Sequence, residues 1–174
     1  MLYLLDANTL INAKRDFYQF KRVPPFWNWL VYQGNLGNIK IPQEIYEEFK
    51  DTKDSTGKKD ELAVWSDKTE VKDALLFTEE FNQDYLNQVI YEGYLENPTE
   101  DDIIKMGKDP FLISYGLEDR GNRCIVSAEV SKPKKKGANR KVPDVCKLLG
   151  VPCCNVVQMI NTLDFRIDWD TNLG

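Results

Sequence analysis

Met1-Leu2-Tyr3-Leu4-Leu5-Asp6-Ala7-Asn8-Thr9-Leu10-Ile11 opens the chain with an apolar run, one acid, and a stretch that reads as the start of a helix. A short unbroken apolar run closed in this way reads as a strand buried on both faces. Asp6 then stands at the strand's carboxyl end, on the rim of an open α/β sheet where ligands collect. A charge closing such a strand does little for solubility, so its purpose depends on which residues join it.

Three further strand candidates, 39–41, 123–127 and 154–157, lie far apart with helical stretches between them. Strands alternating with helices predict an α/β fold, a short parallel sheet flanked by helices in a single-domain three-layer sandwich. With 174 residues and 42% hydrophobic content the chain suffices for one core, so 1–174 is read as one domain. Segment 24–32 carries Phe26, Trp27, Trp29 and Leu30 and reads as a helix packed on the sheet, and Pro42 suits the first turn of a helix running through Phe49. The polar stretch 51–60 reads as an exposed loop. Phe77, Phe81, Tyr85 and Val89 recur at intervals of four, which predicts an amphipathic helix facing the core or a partner, with the core favoured, and the long interval from Phe49 to Asp109 suggests a helical insertion around 51–100. Asn97-Pro98-Thr99, Lys108-Asp109-Pro110 and Lys141-Val142-Pro143-Asp144 each open another helix, the last ended by Gly150.

Composition narrows the chemistry. The chain has no histidine, which removes Ser–His and Cys–His nucleophilic systems and leaves carboxylates or lysine as acid–base groups. Its four cysteines, Cys124, Cys146, Cys153 and Cys154, contain no CxxC pair and read as buried thiols of a reducing cytoplasm rather than a zinc site. No apolar run reaches the ~20 residues of a membrane span, so a cytoplasmic protein without a membrane partner is expected. Net charge is −5, which does not by itself announce nucleic-acid binding.

Asp6, Glu48, Asp109 and Glu129 occupy strand ends and helix starts that share one rim in a parallel sheet. Four carboxylates in one cleft repel unless a cation stands between them, and hard oxygen donors suit magnesium or manganese. Each acid also has a plainer reading: Asp109 as an N-cap, Asp144 as a first-turn partner of the macrodipole, and Glu44, Glu47 and Glu48 as a solvated helix face.

The acids in their order resemble those of a PIN domain, a metal-dependent nuclease fold that supplies the toxins of many toxin–antitoxin pairs. Leu4-Leu5-Asp6-Ala7-Asn8-Thr9 resembles the family's opening strand and first acid, and Ile41-Pro42-Gln43-Glu44-Ile45-Tyr46-Glu47-Glu48-Phe49 its second acidic helix. Asp109-Pro110-Phe111-Leu112-Ile113 is similar to the third acidic position, and Ile125-Val126-Ser127-Ala128-Glu129 to the strand that precedes the fourth. Asp144, within Lys141-Val142-Pro143-Asp144-Val145-Cys146, resembles an additional aspartate of one subgroup. The resemblance implies that Asp6, Glu48, Asp109 and Glu129 are catalytic and hold Mg2+ or Mn2+, with Glu129 or Asp144 as fourth ligand. Asn8, Glu44 and Ser127 are expected in support. It further implies endoribonuclease activity on RNA, a cognate antitoxin, and a homodimer.

Lys132, Lys134, Lys135, Lys136, Arg140 and Lys141 put six basic residues within ten positions, directly after Glu129. A mobile basic loop there would overhang the acids and hold a phosphate backbone, or be merely solvated. Two other readings remain open: a haloacid-dehalogenase-like phosphotransferase using Asp6, in which Asn8 replaces the second aspartate of that family's signature, and a non-catalytic PIN-like protein-binding module.

Overall fold

Strand β1 (Leu2–Leu5) lies at the centre of a five-stranded sheet in the computed structural model, which describes residues 1–172. The others are β2 (Ile39–Pro42), β3 (Leu76–Phe77), β4 (Arg123–Val126) and β5 (Cys153–Cys154), in the order β3-β2-β1-β4-β5. Every neighbouring pair is parallel, with Tyr3 opposite Ile39 on one side of β1 and Leu5 opposite Val126 on the other. The chain moves outward from β1 to β3, then returns to build β4 and β5 on the other side. The boundary between β1 and β4 is therefore where the strand order reverses, the position at which open parallel sheets bind ligands.

Ten α-helices flank the sheet among the described residues: α1 (Ala7–Asn12), α2 (Pro24–Asn35), α3 (Gln43–Phe49), α4 (Glu61–Ser66), α5 (Thr69–Leu75), α6 (Gln83–Gln88), α7 (Glu100–Met106), α8 (Asp109–Glu118), α9 (Val142–Leu149) and α10 (Val156–Thr162). Leu4, Leu5, Ile39, Ile41, Ile125 and Val126 are all buried, as strands covered on both faces require, and each such side chain contributes about 1.5–3 kcal/mol. On α2, Phe26 stacks on Tyr18 at 4.0 Å between ring centroids, and Trp27 on Phe20 at 3.9 Å. Helix α8 lies close against the sheet because residue 116 is glycine: a Cβ there would meet Val151 at 2.7 Å and Ile125 at 2.9 Å. Gly150 ends α9 in the left-handed region at φ +68°, as expected.

The expected helix through Phe77, Phe81, Tyr85 and Val89 is broken. Leu76–Phe77 pairs with β2 as an edge strand, Phe81 sits in the following loop edge-on to Phe111, and α6 starts only after the Asn82 side chain caps Asp84 N–H. All four side chains still pack inward, so the inference of core held while the helix did not. Val89–Tyr94 continues α6 as a π-helical turn. Strand β5 also ends earlier than expected, because Asn155 and Gln158 form a capping box that turns Val156 and Val157 into a helix.

Candidate active site

Asp6 is placed by two elements at once. Its backbone N–H extends the β1–β4 ladder to Val126 C=O at 3.0 Å, and its side chain caps α1 by accepting the Asn8 backbone N–H at 3.4 Å. The other carboxylate oxygen accepts the Ser127 hydroxyl at 2.9 Å, and the Ser127 oxygen in turn accepts the Glu129 N–H at 3.2 Å. Asp6 is thus only 1% exposed, and burial pushes its carboxyl pKa upward, with the Ser127 bond opposing and the Glu129 charge adding to the rise. Thr9 locks the same corner by donating to Val126 C=O at 3.0 Å.

Glu48 reaches this corner from the last turn of α3. Its Oε1 stands 4.0 Å from where a Cβ would lie on Gly107, which holds φ +58° in the short turn before α8. Partial burial raises its pKa, the charge of Asp6 adds to the rise, and Lys108 opposes it. Asp109 is the first residue of α8, with Lys108 in the capping position, so the expected N-cap role is displaced by one residue. Burial, followed by the charges of Asp6, Glu129 and Glu48, pushes the Asp109 carboxyl up to about 8, against the pull of Lys141. Asp109 therefore lies within electrostatic reach of the other three acids expected from the sequence, the four being supplied by the end of β1, α3, α8 and the segment after β4.

Glu129 is held differently. One oxygen accepts the Lys141 ammonium and the other the Val142 backbone N–H at 2.9 Å, both from the start of α9. Asp144 is not brought to the acids: its two oxygens accept the Ser131 hydroxyl at 2.5 Å and the Lys132 N–H at 2.7 Å, which staples the basic segment to α9. Glu44, one helical turn before Glu48, instead accepts the Tyr115 hydroxyl at 3.2 Å beside the 78–81 segment. Of the expected supporting residues, Ser127 binds Asp6 through its side chain, whereas Asn8 reaches it through its backbone N–H.

The fit of a hard divalent cation can be judged from the donors. Asp6, Glu48 and Asp109 offer carboxylate oxygens whose ionisation is opposed by burial and by one another, the condition a cation relieves. Beside them Tyr94, 4% exposed, carries a buried hydroxyl with no hydrogen-bond partner among the described residues, and its pKa is raised by burial and by the Asp109, Glu129 and Asp6 charges. A buried orphan hydroxyl costs roughly 1–3 kcal/mol, so one facing a group of acids points to a polar species between them. Among the described residues, no three Asp, Glu or Cys side chains stand close enough together, as placed, to hold a metal ion between them. Tyr94 has no signature in the sequence; the π-helical turn that carries it decides where it points.

The basic segment does not float above the acids as expected. It is anchored by buried Ala138, by Asp144, and by Arg140, which donates to Gly93 C=O at 2.6 Å. Lys105, Lys132, Lys135, Arg140 and Lys141 line a polar hollow of about 280 Å3, with Asp109 as the one acid in its wall. The hollow thus opens beside the acidic site.

Residues 3–167 match a family model described as "Domain of unknown function (DUF4411)". No curated protein and no solved structure matches the chain.

Proposed function

The chain belongs to the DUF4411 family, and we propose that this member is a divalent-metal-dependent endoribonuclease of PIN type, the toxin of a toxin–antitoxin pair. The observation that supports this reading is that the charges of Asp6, Glu129 and Glu48 all bear on Asp109, with Asp6 and Glu129 following β1 and β4, between which the strand order reverses. Asp6, Glu48 and Asp109 would hold Mg2+ or Mn2+, with Glu129 beside them. When bound, such a cation supplies an acidified water and a Lewis acid for phosphate oxygens. Ser127 fixes one Asp6 oxygen and so keeps the carboxylate aimed, while burial and the neighbouring acids favour the protonated form of Asp109, a proton that a bound cation would have to displace. RNA as the substrate, and an antitoxin as the partner, rest on the likeness of the acid pattern to PIN domains.

The test is cleavage of RNA by purified protein with Mn2+ or Mg2+ and with chelator. Activity should require the metal and fall by more than about a hundredfold in Asp6→Asn and Asp109→Asn, a loss at least as large as outer-shell changes cause at metal sites. Metal-dependent cleavage surviving both substitutions would defeat the assignment. Hydrolysis of a small phosphate ester through a phosphorylated Asp6 would favour the phosphotransferase, and an inert protein that captures a partner would favour a binding module.

A further inference from the structure

Lys141 belongs to two neighbourhoods. Its ammonium binds Glu129 and its charge bears on Asp109 and Asp6, yet the same side chain lines the basic hollow next door. Its backbone is fixed as the capping residue of α9, with φ −92° and ψ 147°, whereas the side chain is 34% exposed and turns on four methylenes. The pair is part-buried, with the Glu129 side chain 18% exposed, and the open side of the ammonium is the one that borders the hollow. Glu129 does not lose its orientation when the ammonium leaves, because Val142 N–H keeps the second oxygen. Arg140 lacks this freedom, being tied to Gly93 C=O.

We propose that Lys141 is a cation shared between two anions: it holds Glu129 in the metal-free protein, and turns into the hollow to meet a phosphodiester oxygen once a divalent cation stands beside Glu129. The inference rests on the metal-dependent reading above and adds a coupling to it. Cation and phosphodiester then bind cooperatively, since each favours the same position of Lys141. The hollow suits this class of anion because its lysines are mobile point charges, which bind phosphate without demanding a planar partner.

Two measurements test it on the full chain. Mn2+ binding, followed by electron paramagnetic resonance, should be about tenfold tighter in Lys141→Met, where nothing competes for Glu129, and no tighter in Lys141→Arg, which keeps the charge. In 15N spectra of the lysine ammonium groups, with Lys141→Arg assigning the signal, Lys141 should shift as Mg2+ saturates and again on adding a nuclease-resistant phosphorothioate oligonucleotide. Wild-type protein that binds Mn2+ with the Lys141 signal unmoved, or with Lys141→Met no tighter, overturns the shared cation and spares the metal site. Wild-type protein that binds no Mn2+ overturns both.

Discussion

Tyr94 pays for a buried hydroxyl that nothing among the described residues satisfies. Tyr94→Phe should therefore stabilise the chelator-treated protein by about 1 kcal/mol, roughly 2–4 °C in Tm for a domain of this size, and weaken Mn2+ binding in the same preparation. A calorimetric scan and a Mn2+ titration on one sample check the pair; a variant that melts lower without metal would show the hydroxyl to be satisfied already. Asp109→Asn should likewise raise the Tm of metal-free protein at pH 7.5, since it removes a carboxyl that burial and three acids oppose. Glu48, inside α3, is singled out only by its likeness to the PIN pattern, whereas Asp6, Asp109 and Glu129 stand out in the sequence because each sits at a boundary it marks: after an apolar run, before a proline, or after a strand. Asp144 has the same marks, but its first-turn position in α9 aims it at Ser131 and Lys132, and spacing carries no information about that aim. Lys141 lay within a visible basic run, yet only the position of α9 singles out this ammonium from its neighbours.

Helix α8 carries Asp109 at one end and rests on β4 through Gly116, so its seat sets the height of the acid. Gly116→Ala should push the helix off Val151 and Ile125 and cost about 1–3 kcal/mol, as overpacking does. Denaturant unfolding gives the loss, and a cleavage assay on the folded fraction should show activity falling too, because the acid moves with the helix. Unchanged stability would mean that the neighbouring side chains yield without moving α8. The strands around this seat are readable where they are four residues long and mostly apolar, as in β1, β2 and β4. Two-residue β3 and β5 fall below that length: a period of four masked Leu76–Phe77, and the Asn155–Gln158 capping box took over the apolar Val156-Val157 that had extended β5 in the sequence reading. Edge strands this short owe their existence to the neighbour they pair with rather than to their own residues.

Across the molecule the opposed acids fix the sign of the response to pH. Asp109 is raised to about 8, and Asp6 and Glu48 are raised as well, whereas the unfolded chain releases these protons near pH 4. Between about pH 4 and pH 8 the native chain therefore binds more protons than the unfolded one, and its stability falls as pH rises, levelling off once Asp109 is ionised in both states. Asp67, held down to about 2 by its bonds to Lys72 and Lys59, acts in the opposite sense, but only below about pH 4. A cation that binds the acids must displace their protons, so it binds more tightly at the alkaline end. In chelator the Tm should decline from pH 5 to pH 8, while saturating Mg2+ should restore several degrees at pH 8 and less at pH 6, since a ligand at a hundred times its Kd adds about 2.7 kcal/mol. Asp109→Asn should flatten the decline and abolish the Mg2+ shift together. A chelator-treated wild type whose Tm instead rises over this range would mean that the acids are not opposed, and the electrostatic basis for a cation at this rim would be gone.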